Sequence, residues 1–403
     1  MNQKIPTKTQ TIQLLGEPRE NFYQLGLRDL DDHNLPLSHL QSFLELGPEV
    51  FNKAFFESLS LVFKHATDMK LDCLPLFQSY AEGLGREWKE LLTLYSLPDI
   101  FSSLAGTLPG MSRLLGCSSL IGRNSLGPFH LRILDFPLVG SFDHTERGVH
   151  MNVSGYPQCF YMTCAGLPLP SLSAMNLETG VSVAIHQKFN DQFYLKGTPI
   201  LLLIPELLFT CKTPEDLKKF FKSHSTLTNW GLNMTFPNGE AVSLDICGQE
   251  LNLKKIPLIK GELHYFCNFP LNKTKRSLPF GIRSYNEQRA CSAQKKIKKI
   301  KKKNIFEFPE KILKEFSTPL CEKSAKKWTL DCLTPSSLQS VLFQPVAQKA
   351  YAVTGKAPKY ATESIDIIKL KDSLSLQTIS LRKNIKHQKY RKGMRSLILA
   401  QSY

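Results

Sequence analysis

The sequence predicts an α+β fold in which an α-rich N-terminal segment leads into a long, meandering antiparallel sheet system. Three observations predict it. Apolar residues recur at spacings of three and four over much of residues 37–105. After Gly110 the texture changes to short apolar or alternating runs punctuated by Gly, Pro and Asn. The composition, 42% hydrophobic and 21% charged over 403 residues, is that of a globular chain able to bury a sizeable core.

Residues Thr11 to Leu27 read as a short strand, a turn at Gly16-Glu17-Pro18 and a helix. The helical run over 37–105 is interrupted at Gly47-Pro48. A further helix covers "PLFQSYAEGLGREWKELLTLYSL", with Pro98 expected to close it. Strands are expected at "CSSLIG", "FHLRILDFP", "YPQCFYMTCAG", "VSVAIHQKF" and "GTPILLLIP". The segment "TPILLLIPELLFT" (198–210) is too short and too interrupted for a membrane span; it reads as a buried strand running into a short helix. Thr213-Pro214-Glu215 supplies a cap, an N1 proline and a first-turn acid for a helix over 213–224. Strands resume at "EAVSLDICG" and "GELHYFCNF", a helix follows near "RSYNEQRACS", and two late runs in "SVLFQPVAQKAYAVTG" flank a turn.

Composition narrows the function classes. The N-terminus lacks an apolar signal-peptide core, so the expected location is cytoplasmic. Ten cysteines are scattered without a CxxC pair or a partnering His pair, so neither a zinc site nor a disulfide framework is expected, and no cofactor is implied. The net charge of +16 is concentrated in "KKIKKIKKK" (295–303) and in a tail, 371–403, which together carry +14. The body is therefore nearly neutral. These segments read as a solvated helix face and a mobile tail, or as contacts for an acidic membrane surface or nucleic acid; no aromatic residues are interleaved for base stacking.

One constellation carries chemistry. Cys117 follows Gly116, whose missing side chain suits an accessible backbone at an attacking thiol. Ser118 and Ser119 are polar where a core strand would favour Val or Ile. Arg132 and Asp135, three apart in "LRILDFP", lie on a strand that the turn at Asn124–Pro128 would return beside Cys117. A buried Arg–Asp pair beside a thiol is costly unless hydrogen-bonded, which invites a functional reading.

The pattern Gly-Cys-Ser followed by Arg-x-x-Asp resembles N-terminal-nucleophile (Ntn) hydrolases of the choloylglycine hydrolase and acid ceramidase type. It is most similar to the branch of acyl-coenzyme A:6-aminopenicillanic acid acyltransferase, peptidase family C45. "YAEGLGREWKELLTLYSL", "CAGLPLPSLSAMNLETGVSVAIHQKF", "FCNFPL", "SYNEQR" and "SLQSVLFQPVAQKAYAVTGKAP" extend the resemblance from about residue 10 to 365. The sequence departs from the family pattern at Ile133, Ala174 and Phe269.

The resemblance implies a four-layer αββα sandwich and a precursor that cuts itself at Gly116-Cys117. Residues 1–116 would become a bound small subunit, 117–370 the catalytic core with a lysine-rich insertion at about 293–335, and 371–403 a basic tail. Cys117 would be the nucleophile and its freed amine the base. Asp135 would orient that amine, Arg132 would lie beside the sulfur, and Asn268 would donate to the oxyanion. Arg289 would orient Asn268 or bind substrate, and Asn176 would bind substrate, support the oxyanion loop or simply be a turn residue. The substrate class is a small N-acyl amide, peptide or acyl thioester. Two other readings remain: a conventional cysteine hydrolase using His130, His150 or His264, and a catalytically decayed fold that binds an acidic partner through its basic segments.

Overall fold

The computed structural model describes residues 8–36, 38, 69–107, 116–136, 138–188, 194, 196–269, 271, 280–317, 337–359, 364–381 and isolated positions between 389 and 399. The helical run expected around Gly47-Pro48 lies outside the described residues.

Two sheets stack face to face. The first has eight strands in the order β1 (Gln10–Gly16), β4 (Arg147–Val153), β5 (Cys159–Thr163), β6 (Ser173–Asn176), β7 (Ser182–Gln187), β8 (Asn229–Thr235), β9 (Glu240–Cys247) and β10 (Glu250–Pro257). The second has seven, in the order β11 (Leu263–Phe266), β2 (Gly116–Asn124), β3 (Gly127–Asp135), β12 (Ser337–Gln344), β13 (Lys349–Val353), β14 (Ser364–Lys369) and β15 (Ser375–Ser380). Strand pairing is antiparallel except between β1 and β4. Phe160 and Met175 from the first sheet meet Val341 and Phe343 from the second in a dry inter-sheet core.

Helices cover both outer faces. Helices α1 (Pro18–Arg28), α2 (Leu74–Gly83), α3 (Trp88–Thr107), α4 (Ile200–Thr210) and α5 (Pro214–Ser223) pack on the first sheet through the largest apolar cluster. Helices α6 (Phe280–Lys302) and α7 (Pro309–Phe316) cover the second through Ala293, Ile297, Ile312 and Phe316. The result is the four-layer αββα arrangement.

The described residues before Gly116 are woven into this body. Strand β1 pairs along its length with β4, and α1 crosses α2 almost backbone to backbone. Side chains at the crossing are sterically barred: a Cβ on Gly26 would stand 2.3 Å from the Tyr80 carbonyl oxygen. Beneath it, Arg147 holds the buried Asp29 carboxylate through two bonds of 2.5 Å, and the Tyr80 hydroxyl donates to Asp29 at 2.8 Å. Sheet pairing and a buried charge cluster thus tie the described residues of this segment to the rest of the body.

The expected elements mostly recur, with three corrections. Residues 200–210 are helical throughout rather than a strand running into a short helix, buried at nearly every position, and before them only Thr198 makes a lone bridge to Thr226. An all-round apolar run carries no period that separates strand from helix. Here the Asp99 carboxylate accepts the Ile200 N–H at 3.0 Å and stabilises the helical start. Pro98 lies inside α3 instead of closing it, and the helix continues past it with Asp99 bound to Ile200, Thr228 and Trp230. The segment after 370 is not simply a mobile tail: 375–380 form β15, and Arg395 bonds Asp143 at 2.6 Å and the Ala357 carbonyl at 2.8 Å. The lysine run ends α6 with Lys295, Lys298 and Lys302 exposed, while Lys296 reaches the Glu315 carbonyl at 2.7 Å.

No described helix is long and apolar enough to cross a membrane.

Candidate active site

The β2–β3 hairpin places the central residues. Its register sets Gly116 opposite Asp135, Cys117 opposite Leu134 and Ser119 opposite Arg132. Side chains alternate across a strand, so Cys117, Ser119, His130 and Arg132 face the first sheet, while Ser118 and Asp135 face α6. Arg132 reaches diagonally across the pair to bring Nη2 within 2.9 Å of the Cys117 sulfur, and Nη1 donates to the Ile133 carbonyl at 3.1 Å. Both residues are buried.

Asn268, just beyond β11, meets the same point. Its Oδ1 accepts the Cys117 backbone N–H at 2.8 Å, and its Nδ2 donates to the Gln187 carbonyl at 2.8 Å. Arg289, projecting from α6 and fully buried, donates to Asn268 Oδ1 at 3.3 Å and to Ser118 Oγ at 2.5 Å, and pairs with Asp135 at 3.1 Å. Asp135 also accepts from Ser337 Oγ at 2.8 Å. Burial raises the Asp135 carboxyl above its ordinary range, while Arg289, Ser337 and Arg132 oppose that rise.

The structure thus brings Gly116, Cys117, Arg132, Asp135, Asn268 and Arg289 into one cluster. Asn176 is not among them. Its Oδ1 accepts the Glu178 and Thr179 N–H groups at 3.0 and 2.9 Å, and its Nδ2 donates to the Leu208 carbonyl at 3.0 Å, which makes it the keystone of the β6–β7 turn. Asn268 presents its oxygen, not its amide, to the Cys117 N–H. Nδ2 carries two N–H groups, and the Gln187 carbonyl takes one of them.

Sequence reasoning missed several members. Tyr265 shares a 2.9 Å hydrogen bond with Ser118, Ser337 holds Asp135, and Gln187 holds Asn268. Ser118 alone carried a signal, as a polar residue at a core-strand position; the others lie far away in sequence.

Cys117 and Arg132 open onto a pocket of about 630 Å³, mouth included. Its walls are almost wholly apolar: Leu97 and Pro98 from α3, Leu201 from α4, Ile185, Trp230, then Leu134 and Leu338 from the second sheet, and Phe136 just beyond β3. Gln187 and Arg132 are the polar exceptions. Apolar walls with a few polar groups at one end are the usual make-up of a small-molecule pocket.

The histidines lead elsewhere. His130 bonds Ser119 Oγ at 2.8 Å and Ser182 Oγ at 3.2 Å, and His150 bonds Gln158 at 2.8 Å. His264 stands 3.9 Å from Glu262. None of these bonds reaches the thiol, so the conventional Cys–His pairing has no geometric support in the described structure. Among the described residues, no group of three or more His, Cys, Asp or Glu is arranged to hold a metal ion.

No protein-family model and no curated protein sequence matches the chain. Solved structures do. An N-acylethanolamine-hydrolyzing acid amidase ortholog of Caenorhabditis elegans is 14% identical, aligned over 57% of this chain and 93% of its own, with a TM-score of 0.40. A conjugated bile acid hydrolase of Clostridium perfringens is 12% identical over 66% of this chain and 98% of its own, with a TM-score of 0.40. Penicillin V acylase of Agrobacterium tumefaciens is 11% identical over 66% of this chain and 99% of its own, with a TM-score of 0.33.

Proposed function

We propose that the protein is a cysteine amidohydrolase or acyltransferase of the Ntn class, activated by cleavage of its own Gly116–Cys117 bond, and that its substrate carries an apolar acyl group. One observation supports this most directly. The sulfur of an internal Gly-Cys pair lies under a guanidinium, and the N–H of that same peptide bond is held by Asn268.

In the first step the Cys117 sulfur attacks the Gly116 carbonyl carbon through a five-membered ring. The C–N bond breaks, the nitrogen takes a proton, and Gly116 becomes a thioester on the sulfur. Water hydrolyses that ester, giving a Gly116 carboxylate and a free Cys117 thiol and amine. Asn268 Oδ1, already on the Cys117 nitrogen, then accepts from the new amine.

That amine has a reference pKa of about 7.7–8.0 and serves as general base near neutral pH. It takes the thiol proton as sulfur attacks the substrate carbonyl, and Arg132 faces the charge that develops on sulfur. The acyl chain occupies the apolar pocket. The amine leaving group departs with a proton, and water or a second acceptor releases the acyl group. Asp135 acts through Arg289 rather than by touching the Cys117 nitrogen in the uncut chain.

The test is the intact mass of the purified protein with identification of its N-termini. A fragment beginning Cys117-Ser118-Ser119 beside a 116-residue partner is expected, with Cys117→Ala remaining one inactive chain. Cleavage or turnover by Cys117→Ala overturns the proposal.

A further inference from the structure

Asn268 lies just beyond β11, outside any strand, yet its oxygen meets one backbone N–H across the sheet edge. What fixes the loop is a buried lysine outside the cluster described above. Lys188, only 5% exposed, directly follows β7. Its Nζ donates to the Cys267 carbonyl at 3.3 Å and to the Phe269 carbonyl, the two carbonyls that flank Asn268. The same Nζ lies 3.2 Å from Asp245 Oδ1, and Asp245 Oδ2 accepts the Leu271 N–H at 2.5 Å. One ion pair therefore grips the loop on both sides of Asn268, while the neighbouring Gln187 carbonyl takes the Asn268 amide.

The path of that lysine explains an otherwise awkward residue. Strand β8 lies between β7 and β9, with Gly231 registered against both His186 and Asp245. To reach Asp245 the Lys188 stem passes over Gly231, where an added Cβ would stand 2.3 Å from the lysine Cε. Glycine inside a strand weakens it and marks a close approach. A buried ammonium is costly to desolvate, and a well-packed apolar side chain would serve stability as well. Its partners, however, are the two peptide carbonyls beside Asn268.

We propose that Lys188, seated by Asp245 and admitted by Gly231, is the positioning residue that holds Asn268 on the Cys117 nitrogen. The consequence for catalysis rests on the Ntn reading; the positioning itself does not. Lys188→Met is expected to slow Gly116–Cys117 cleavage about 10- to 100-fold and to lower kcat by a similar factor, leaving KM within about twofold because the pocket walls are untouched. Gly231→Ala, which displaces the lysine without removing its charge, is expected to do the same.

The deciding measurement is hydrogen exchange in a Cys117→Ala background, where the chain stays whole and residue 117 keeps its N–H. Either second substitution should speed exchange of the residue 117 amide at least tenfold and leave the β8 and β9 amides within about twofold. An unchanged residue 117 amide in both variants overturns the proposal, as does a uniform loss of protection across the sheets, which would make Lys188 merely structural. A wild-type chain that never cuts itself would sink the Ntn reading alone, because the exchange experiment needs no cleavage.

Discussion

Two buried polar clusters share the β2–β3 hairpin, and they differ in almost everything except burial. The first comprises Cys117, Arg132, Asn268, Arg289 and Asp135, and it opens onto an apolar pocket. The second is a seam between the sheets. Ser119 Oγ lies 2.8 Å from both His130 and His186, His130 continues to Ser182, and Ser182 bonds Thr235 at 2.7 Å. Ser119 is two residues from Cys117 on the same strand face, within about 7 Å along the chain. A hydroxyl between two imidazoles resembles a nucleophile with its base, but every member of the seam is fully buried and none lines the pocket. Access and charge separate the clusters. The first gathers two guanidiniums around a thiol and an amide, whereas the second is kept neutral. Burial, reinforced by Arg132, pulls His130 down to about 3, and His186 is depressed for the same reasons.

The sharpest way to break this contrast is to remove one charge from the first cluster. Arg132→Met takes the guanidinium from the sulfur while keeping a long apolar stem. It is expected to lower both self-cleavage and kcat by about 10²- to 10³-fold, the scale of losing one preorganised charge-stabilising donor. Single-turnover acylation and cleavage rates measure it. Activity within threefold of wild type would mean that the 2.9 Å contact with sulfur is not functional.

Ser119→Ala asks the converse question of the seam. Both imidazoles lose a hydroxyl partner inside a dry interface, so the expected cost is about 1–3 kcal/mol of stability in denaturant titration. Cleavage and turnover should stay near wild type. A large kinetic loss with unchanged stability would move Ser119 into the active site and dissolve the distinction drawn here.

The two clusters were unequally legible in the sequence, for physical reasons. The hairpin was readable because Asn124–Pro128 marks a turn and the period-2 rule then fixes which residues return beside Cys117. Asn268 and Arg289 became readable only through the family resemblance, since nothing local marks a loop asparagine or a helix arginine as reaching across a sheet edge. The seam was invisible: His130 and Ser119 share a hairpin, but His186 comes from the other sheet, and its meeting with Ser119 depends on how the sheets stack. Asn176 runs the other way: in Met175-Asn176-Leu177-Glu178-Thr179-Gly180 the asparagine side chain is taken up by the turn, the structural reading of that residue rather than the substrate-binding one. The helix at 200–210 was misread because all-round burial erases periodicity, and the carboxylate that starts it, Asp99, comes from a helix about a hundred residues earlier.

The gentlest test of the comparison uses protons. A histidine held neutral in the fold at about 3, against an ordinary 6.5, binds its proton more readily when unfolded. Between those values the unfolded chain carries more protons, so the contribution of His130 is fully present above pH 6.5 and is lost as pH falls toward 3. Asp99 runs the other way. Burial lifts it to about 7 from 3.8 against the pull of its three donors, so the folded chain holds the extra proton and stability falls as pH rises through that interval. The two slopes partly cancel in wild type, which is why the difference between variants is the informative quantity. His130→Asn should remove the acid-side loss alone, so that the stability gap between wild type and variant changes by about 1 kcal/mol between pH 6.5 and 5.5. Denaturant midpoints at the two pH values measure it. A gap that does not move would mean that His130 already takes up a proton within the fold at pH 5.5, and the seam would then be a charged cluster like its neighbour.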